Sequence, residues 1–410
     1  MHKNRYSKIY IALPVMNEMA VLPALLEAVS NQDFANFQLF VCVNQPDEWW
    51  DAPEKVAQCV DNQQALDLLK SVRNFPVTII DRSSKGKGWT KKDHGVGWAR
   101  KTLMDAIAQL AGPDDLIVSL DADTVFGPGY LTSLLETFNT YQDAVGMAVP
   151  YYHKLIDEPE ANRAILRYEI YMRNYAINLW RINSPYAFTA LGSAMAVPVW
   201  AYKAISGMTP KKSGEDFYFL QKLRKYGKML VWNREKVYPG TRFSDRVFFG
   251  TGPAMIKGRA GDWESYPIYH HSLFDHIKTT YDQFESLYAD PEEDTPLNPF
   301  LRQIFNDVNI WEPLKKNSKS AEQFIRACHH KFDGLRILQY LKASQSSLEK
   351  SDISCLKENI NSLFPTVDFG ISGRDLELLS FEGSSLDVLN SLRDFLVLQE
   401  EKCQQSAIIH

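Results

Sequence analysis

Two aspartates separated by one residue, Asp121 and Asp123, directly follow the apolar run LIVSL at positions 116–120. On an extended backbone, side chains two positions apart lie on the same face. Both carboxylates could therefore bind one divalent cation and leave coordination positions for phosphate oxygens, and Mg²⁺ or Mn²⁺ suits such oxygen ligands. The pair predicts a cation site. A solvated acidic loop or a helix cap would give the same short pattern.

A second acidic pair, Glu215 and Asp216, stands at the predicted start of a helix. Phe217, Leu220 and Leu223 recur behind it at helical spacing and supply an apolar face. The positive end of a helix dipole stabilises the ionised form of a carboxylate. The residue types therefore fit either simple capping of the helix or a site carboxylate that is kept charged.

A basic, glycine-rich segment, DRSSKGKGWTKKDHGVGWARK, occupies positions 81–101. Its cationic side chains include those of Arg82, Lys85, Lys87, Lys91 and Lys92. A loop of this kind could bind a diphosphate through main-chain N–H groups and basic side chains. The GxxxxGK[ST] spacing is absent, which disfavours a P-loop ATPase or GTPase. A solvated basic loop is the alternative.

A third polar segment, TRFSDRVFFGTG at positions 241–252, has no clear periodicity and is predicted to be an ordered loop. It combines Arg242, Asp245 and Arg246 with glycines. The planar guanidinium groups suit phosphate oxygens. Asp245 between two arginines would equally suit a structural ion-pair cluster.

Short apolar runs and stretches of helical spacing alternate along the first part of the chain. Strands are predicted at 8–13, 37–43, 77–80 and 116–120, and helices at 21–29, 55–72 and 98–110. This βαβα order predicts an open α/β sheet with right-handed crossovers. Polar residues follow the strands at Asn17, Asn44, Arg82 and Asp121. Because open sheets bind ligands at the carboxyl ends of their strands, we expect one shared site there.

The rest of the chain is mixed and then mainly helical. Further elements are predicted at 130–138, 145–149, 163–180 and 193–198, and amphipathic helices at 321–330, 335–341 and 386–398. The helix at 163–180 carries aromatic side chains that either pack a core or stack on sugars. We expect two domains, an α/β domain over 1–270 and a mainly helical region over 271–410. The acidic, proline-rich stretch 290–299 is predicted to be a linker or surface loop.

Bulk composition excludes several classes of protein. A chain of 410 residues exceeds the usual size of a single core, and 45% hydrophobic residues are enough to fold one. A formal net charge of −5 provides no global positive field, so we expect no nucleic acid partner. The five cysteines are odd in number and form no CxxC pair. They are predicted to be reduced packing residues rather than disulfides or zinc ligands.

No segment resembles a membrane anchor or an export signal. The apolar stretch 9–15 is too short for a signal peptide, and no run of about 18 apolar residues could form a transmembrane helix. A cytoplasmic location is therefore expected. Peripheral association with a membrane stays open.

Four motifs occur in one order: LPVMNE after the first strand, DAD after the fourth, then GSAMAVP and GEDFYFLQKLRKYG. In this order and spacing, the chain resembles family 2 glycosyltransferases of the GT-A fold over roughly residues 8–250. The resemblance implies a Rossmann-like, mixed and mostly parallel sheet flanked by helices. It also implies a nucleotide-sugar donor and a Mg²⁺ or Mn²⁺ cofactor held by Asp121 and Asp123.

The same resemblance assigns a nucleoside site to the first two strand ends. The residues implied are Pro14, Val15, Glu18 and Asn44. Many relatives carry an aspartate where this chain has Asn44, and an amide offers a donor as well as an acceptor to a base edge. For Asn17 and Glu18, the start of a helix is the alternative interpretation.

The remaining donor contacts are also implied by the resemblance. Arg82, Lys87, Arg242 and Arg246 would contact the diphosphate, and Gly192 and Ser193 would form the loop beneath the donor sugar. The missing side chain of Gly192 would give room there, although an ordinary turn before a strand is equally consistent. His270 or His271 could supply a third metal ligand; the alternative is a pair of surface histidines without that role.

By resemblance, Asp216 is the general base and Glu215 orients the base or the acceptor. The expected activity is inverting transfer of a sugar from a UDP- or GDP-sugar to a hydroxyl group in glycan or glycolipid assembly. The acceptor would be a glycan, a lipid-linked molecule or a small molecule. Two alternatives stay open: a retaining GT-A transferase, and a catalytically silent sugar-nucleotide-binding or scaffold protein.

Overall fold

The structure is a computed structural model that describes residues 4–90, 94–243, 251–365 and 373–409. Within these ranges the strands are β1 (Ile9–Val15), β2 (Phe37–Asn44), β3 (Val77–Arg82), β4 (Leu116–Ser119), β5 (Val125–Phe126), β6 (Gly146–Ala148), β7 (Met195–Pro198), β8 (Met229–Leu230) and β9 (Val237–Tyr238). Strands β1 to β4 lie where the apolar runs predicted them.

Helices fill most of the remaining chain. The α-helices of the described residues are α1 (Leu22–Ser30), α2 (Val56–Ser71), α3 (Val96–Leu110), α4 (Tyr130–Thr140), α5 (Pro159–Arg181), α6 (Val199–Ala204), α7 (Glu215–Tyr226), α8 (Thr251–Arg259), α9 (His271–Asp282), α10 (Phe284–Ala289), α11 (Asn298–Phe305), α12 (Glu312–Lys316), α13 (Ala321–Lys331), α14 (Gly334–Gln345), α15 (Asp352–Leu363), α16 (Gly373–Glu377) and α17 (Leu386–Ile409). The predicted helical C-terminal region is confirmed.

The main sheet has the strand order β3-β2-β1-β4-β7-β6-β8. Strands β3, β2, β1 and β4 are parallel neighbours, and β6 is parallel to β8. Strand β7 runs antiparallel to both β4 and β6. The mixed, mostly parallel sheet predicted from the sequence is therefore confirmed. Its parallel half brings the carboxyl ends of four strands to one edge.

The core forms because the inner strands are covered on both faces. Every residue of β1 is buried, as expected of a parallel strand between two layers of helices. Helix α3 contributes Leu103, Met104 and Ile107 to the same core cluster as Tyr10 and Phe40 of the sheet. This packing fixes α3 against the strands that end at the predicted site.

The chain divides into two compact units, and neither is one continuous stretch. The first comprises the described residues of Met1–Ile165, Phe188–Gly261 and Gln404–His410. The second comprises those of Leu166–Ala187 and Asp262–Cys403. The sequence prediction divided the chain once, at residue 270. In the structure, most of α5 and all of the predicted linker at 290–299 belong to the second unit.

The second unit has its own helical core and its own buried ion pairs. Leu166, Ile170 and Ile177 of α5 share one apolar cluster with residues of α15 and α17. Arg173 of α5 pairs with Glu169 at 3.2 Å and with Glu400 of α17 at 2.6 Å. Its side chain is only 2% exposed. One buried arginine therefore joins two helices of this unit through two carboxylates.

The aromatic residues of α5 pack against other aromatic residues of the second unit. The rings of Tyr171 and Tyr175 each lie 6.2 Å from the ring of Tyr269. Tyr168 meets Tyr266 edge to face at 5.2 Å. These contacts are those of a packed cluster, the first of the two interpretations drawn from the sequence.

The cysteines are thiols, and most of them are packed inside the protein. All five cysteines lie in the described residues and are free thiols, and all but Cys403 are buried. Burial raises the pKa of Cys42 to about 12, as expected of a packing residue. No helix of the described residues is long and apolar enough to cross a membrane.

Candidate active site

The two aspartates of the DAD motif lie in a turn rather than on an extended strand. Strand β4 ends at Ser119, and the Asp121 carbonyl accepts a hydrogen bond from the N–H of Thr124 at 3.0 Å. The expectation that Asp121 and Asp123 share a face through strand alternation is therefore wrong. The Leu120 N–H still donates to the Ala12 carbonyl of β1 at 3.2 Å, and the turn begins after it. The turn brings both carboxylates to the carboxyl edge of the parallel strands.

Arg100 of α3 holds the first of these aspartates. Its Nη2 lies 2.9 Å from Asp121 Oδ1, and its Nε lies 3.2 Å from Glu215 Oε1. Its Nη1 donates to the Gly192 carbonyl at 2.8 Å and to Ser119 Oγ at 2.5 Å. The side chain is only 2% exposed. Burial alone would lower the pKa of Arg100, but the two carboxylates raise it above its ordinary value.

Sequence reasoning missed Arg100. The signal was present, because Gly97, Arg100, Met104 and Ile107 follow the helical period and are all buried on the inner face of α3. A charged side chain on such a face needs a buried partner of opposite charge. Its partners are distant in sequence, and only the fold identifies them as Asp121 and Glu215.

Gly192 makes room for Arg100. A Cβ at Gly192 would lie 2.3 Å from Arg100 Nη2 and 2.9 Å from its Cζ. The space left by the missing side chain is therefore used by Arg100. Ser193, its neighbour in the expected donor loop, is buried. Contact of Gly192 and Ser193 with the donor sugar stays a prediction.

Gly192→Ala should destabilise the protein and displace Arg100. A methyl group forced into this contact should lower the free energy of unfolding by about 1–3 kcal/mol, the usual cost of overpacking. Urea unfolding of the two proteins measures the difference. Gly112→Ala is the control, because its Cβ would meet its nearest neighbour at an ordinary 3.5 Å. Equal losses in both variants would contradict the packing argument.

The second acidic pair occupies the N-terminus of α7, as predicted. Gly214 precedes it with a φ of 74°, a left-handed conformation that favours glycine. Glu215 is buried and pairs with Arg100, whereas Asp216 is only half-buried. Asp216 Oδ1 accepts the N–H of Phe217 at 2.7 Å, and its Oδ2 has no partner among the described residues.

The electrostatics of Asp216 suit a proton acceptor near neutral pH. Burial and the neighbouring Glu215 raise the pKa of Asp216 to about 7, although Arg100 opposes the shift. A carboxylate whose pKa lies near the working pH is the most effective general base. The half-exposed carboxylate with an unused oxygen therefore has both the access and the basicity for proton abstraction.

Arg242 joins the second aspartate to the first strand. Its Nη2 lies 2.9 Å from Asp123 Oδ2 and 2.5 Å from Glu18 Oε2. Burial raises the pKa of Asp123 above its ordinary value; the Asp121 carboxylate adds to this effect and Arg242 opposes it. Glu18 is thus within the predicted site. Its carbonyl also accepts the N–H of Leu22, the first residue of α1, at 2.9 Å.

The aspartates fit a divalent cation. Asp121 Oδ2 and Asp123 Oδ1 have no hydrogen-bond partner in the part of the chain that the structure describes. The side chain of Asp121 is 36% exposed and thus accessible. The described residues contain no cluster of three or more metal-binding side chains. One or two carboxylates together with substrate phosphates are, however, the usual way in which proteins hold Mg²⁺.

The histidines considered as a third ligand belong to the second unit and have partners there. His270 Nε2 lies 2.8 Å from Glu358 Oε2, and its Nδ1 lies 2.7 Å from Ser272 Oγ. His271 Nδ1 lies 3.4 Å from Asp275 Oδ2. Both histidines therefore have partners within the second unit, and His270 is buried rather than at the surface.

Asn44 uses both ends of its amide inside the protein. Its Nδ2 donates to the Val15 carbonyl at 2.9 Å, and its Oδ1 accepts the indole N–H of Trp89 at 3.1 Å. The residue is only 2% exposed. Asn44 therefore ties the end of β1 to the basic loop. Pro14, which precedes Val15 in β1, pairs in register with Cys42 of β2.

The basic loop is folded by contacts of its own. Lys87 Nζ lies 3.0 Å from Asp81 Oδ2, and the Arg82 guanidinium lies 5.1 Å from the centre of the Trp89 ring. Asp47 Oδ1 accepts main-chain N–H groups of this loop from Gly86 and Gly88. Arg82 and Lys87 are nevertheless exposed. Lys91, Lys92, Asp245 and Arg246 lie outside the described residues.

A family model described as "Glycosyltransferase like family 2" matches residues 7–231. Similar solved structures include S. aureus TarS 1-349 in complex with UDP-GlcNAc, at 12% identity and a TM-score of 0.42, covering 97% of this chain and 92% of that chain. A second is mannosyltransferase PcManGT from Pyrobaculum calidifontis in complex with GDP-Man and Mn²⁺. It has 13% identity and a TM-score of 0.35, and the match covers 96% of this chain and 86% of that chain. A third is GalNAc-T7 with UDP, GalNAc and Mn²⁺, which has 12% identity and a TM-score of 0.39. That match covers 80% of this chain and 58% of that chain. No curated protein matches significantly.

Proposed function

The chain belongs to the family described as Glycosyltransferase like family 2, and from that premise we propose that it transfers a sugar from a UDP- or GDP-sugar to a hydroxyl group with inversion at the anomeric carbon. It has the GT-A fold and is a glycosyltransferase. The donor, the stereochemistry, the acceptor and the cation are the parts that are proposed. We further propose that the first unit carries the catalysis.

One observation carries the proposal: a single arginine, Arg100, contacts both Asp121 and the glutamate that precedes Asp216. The acidic pair suited to a cation and the half-buried carboxylate suited to a base therefore belong to one constellation. Inverting transfer needs these two parts on either side of one anomeric carbon, because the acceptor must be activated while the leaving group departs.

The proposed reaction assigns a separate task to each part. Asp216 takes the proton of the acceptor hydroxyl through Oδ2, and the acceptor oxygen forms a bond to the anomeric carbon. The bond between that carbon and the diphosphate oxygen breaks, and the electron pair leaves with the nucleoside diphosphate. Mg²⁺ or Mn²⁺, held by Asp121 and Asp123, would stabilise the charge on the departing diphosphate.

Arg242 is proposed to contribute to the same leaving group. Its guanidinium already pairs with Asp123 and Glu18, so a phosphate oxygen could join this cluster without a large movement of the side chain. Exposed Arg82 and Lys87 are proposed as further diphosphate contacts. The donor sugar would lie between these cations and the N-terminus of α7.

A retaining transferase is the second candidate, because it would share the cation carboxylates. The free oxygen of Asp216 and its pKa near 7 favour the inverting reaction, which needs a base at the acceptor. Product anomer analysis by NMR separates the two. A catalytically silent binding protein has less support, since it would not need Asp216 beside Asp121.

The direct test is a thermal-shift screen with UDP-Glc, UDP-GlcNAc, UDP-Gal and GDP-Man, each with and without Mn²⁺. A ligand that binds the folded state raises its apparent stability. We expect at least one donor to raise the melting temperature in Mn²⁺ and to lose this effect in EDTA. No shift with any donor, in either condition, would contradict the proposed donor class.

A further inference from the structure

We propose that Arg100 is a positioning residue that holds Asp121 and the base-bearing helix α7 at a fixed separation. This inference rests on the proposed function. Arg100 itself is too deeply buried to contact the substrate, and it acts through the two carboxylates that it joins.

The shape of the guanidinium makes one side chain sufficient for this task. Its three nitrogens have separate partners: Nε has Glu215, Nη2 has Asp121, and Nη1 has Ser119 together with the Gly192 carbonyl. Because the group is planar and rigid, the directions to these partners are fixed relative to one another. A lysine at this position would offer a point charge at one location.

The backbone around Arg100 leaves little freedom to adjust. One turn before it on α3, a Cβ at Gly97 would lie 2.2 Å from the carbonyl oxygen of Lys211 and 3.2 Å from Glu215 Cβ. On the other side, Gly192 is in similarly close contact with the guanidinium. Helix α3 thus touches both the segment that leads into α7 and the segment that leads into β7. The arginine therefore lies where three closely packed segments meet, and its guanidinium joins the side chains that these segments carry.

Glu215 is the second carboxylate that Arg100 positions. Its side chain is only 4% exposed, and the described contact of its carboxylate is with Arg100. The sequence interpretation let Glu215 orient either the acceptor or the base. Its burial favours the base, because Glu215 immediately precedes Asp216 and anchors the first turn of α7.

The test compares Arg100→Lys with a matched control, Arg173→Lys. Arg173 is equally buried and also joins two carboxylates, but it lies in the second unit. Both variants keep a positive charge and lose the rigid fork. The substrate is the sugar nucleotide that stabilises the wild-type protein in Mn²⁺. The readouts are kcat and KM for release of its nucleoside diphosphate with water as the acceptor of the sugar, and the folded fraction from urea unfolding.

We expect Arg100→Lys to lower kcat by about 100-fold per folded molecule, because small misplacements of reacting groups have effects of this size. KM for the donor should rise as well, because Asp121 loses its partner together with Glu215. Arg173→Lys should keep the wild-type kcat per folded molecule, whatever its stability. If Arg100→Lys does not fold, Glu215→Gln, which keeps the side-chain shape, should lower kcat by at least about tenfold.

Two results overturn the inference. One is that Arg100→Lys keeps the kcat of the wild-type protein per folded molecule. If Arg100→Lys does not fold, the same result in Glu215→Gln counts instead. The other is an equal loss in Arg173→Lys, which would indicate a general effect of buried arginines. Failure of the proposed function is distinguishable, because the wild-type protein would then release no nucleoside diphosphate from any donor.

Discussion

Asp216→Asn should greatly slow sugar transfer while leaving donor binding intact. The amide has the shape of the carboxylate but cannot accept the proton of the acceptor hydroxyl. We expect kcat to fall by about 10²–10⁴-fold, the usual contribution of a general base. Calorimetric titration with UDP or GDP in Mn²⁺ should give a dissociation constant within about threefold of the wild type, because Asp216 is assigned to the acceptor.

The pH profile provides a second measure of the same residue. Asp216 must be deprotonated to act, and its pKa is raised to about 7. In the wild type, kcat/KM should therefore fall as pH decreases through about 7, by about tenfold per unit well below it, because kcat/KM follows the pKa of the ligand-free enzyme. Asp216→Asn should lose this dependence. Asp67→Asn, at an exposed carboxylate of α2, is the control and should change neither rate nor profile.

If Asp216→Asn kept the wild-type kcat, the general base would have to be another residue. The main support for inversion would then be lost. An unchanged pH profile in that variant would mean that another group titrates near neutrality. A loss of donor affinity equal to the loss of rate would instead assign Asp216 to the donor.

Asp123→Asn should remove the metal dependence of donor binding. The amide keeps the shape of the side chain but replaces a charged oxygen with a weaker ligand. Even partners that only support metal ligands cost 10–100-fold in affinity when lost, so a ligand itself should cost at least about 100-fold. Calorimetry with UDP or GDP, with Mn²⁺ and with EDTA, measures the change.

In EDTA the wild-type protein should bind the nucleotide as weakly as Asp123→Asn does in Mn²⁺. The same Asp67→Asn variant serves as the control and should keep full Mn²⁺ dependence. Wild-type affinity and Mn²⁺ dependence in Asp123→Asn would exclude this aspartate as a ligand. The cation would then have to be held by Asp121 with other groups.

The parts of the fold that local patterns determine were predictable. Apolar runs placed β1 to β4 to within two residues at each end, since a strand buried on both faces needs apolar side chains throughout. The acidic pair at Glu215 was placed at a helix start for a similarly local reason. The order of motifs then predicted the family to which the chain belongs.

The contacts that join distant segments were not predictable. Arg100 lies within the basic segment 81–101 but is not among the predicted site residues, because no local rule pairs it with Asp121 and Glu215. Asn44 was assigned to a base edge, although its amide is bound to Val15 and Trp89. Hydrogen-bond satisfaction in a core depends on which segments meet, and this information lies in the tertiary structure.

The division of the chain into two discontinuous units was also not predictable, because it depends on which segments pack together. Helix α5 shows one continuous helical period, and a period does not indicate which core each turn joins. Only the packed structure separates the part up to Ile165 from the part that follows. The described stretch Phe188–Gly261, which carries Glu215 and Asp216, belongs again to the first unit.

The discontinuous first unit has a consequence for how the protein forms during synthesis. Its segments Met1–Ile165 and Phe188–Gly261 leave the ribosome early, but residues from Gln404 onward, which complete it, emerge only after all of Asp262–Cys403. Contacts between segments so far apart in the chain are slow to form, because a long loop must close before they are made. The unit that carries Asp121 and Asp216 therefore reaches its final packing only when the last turns of α17 are available.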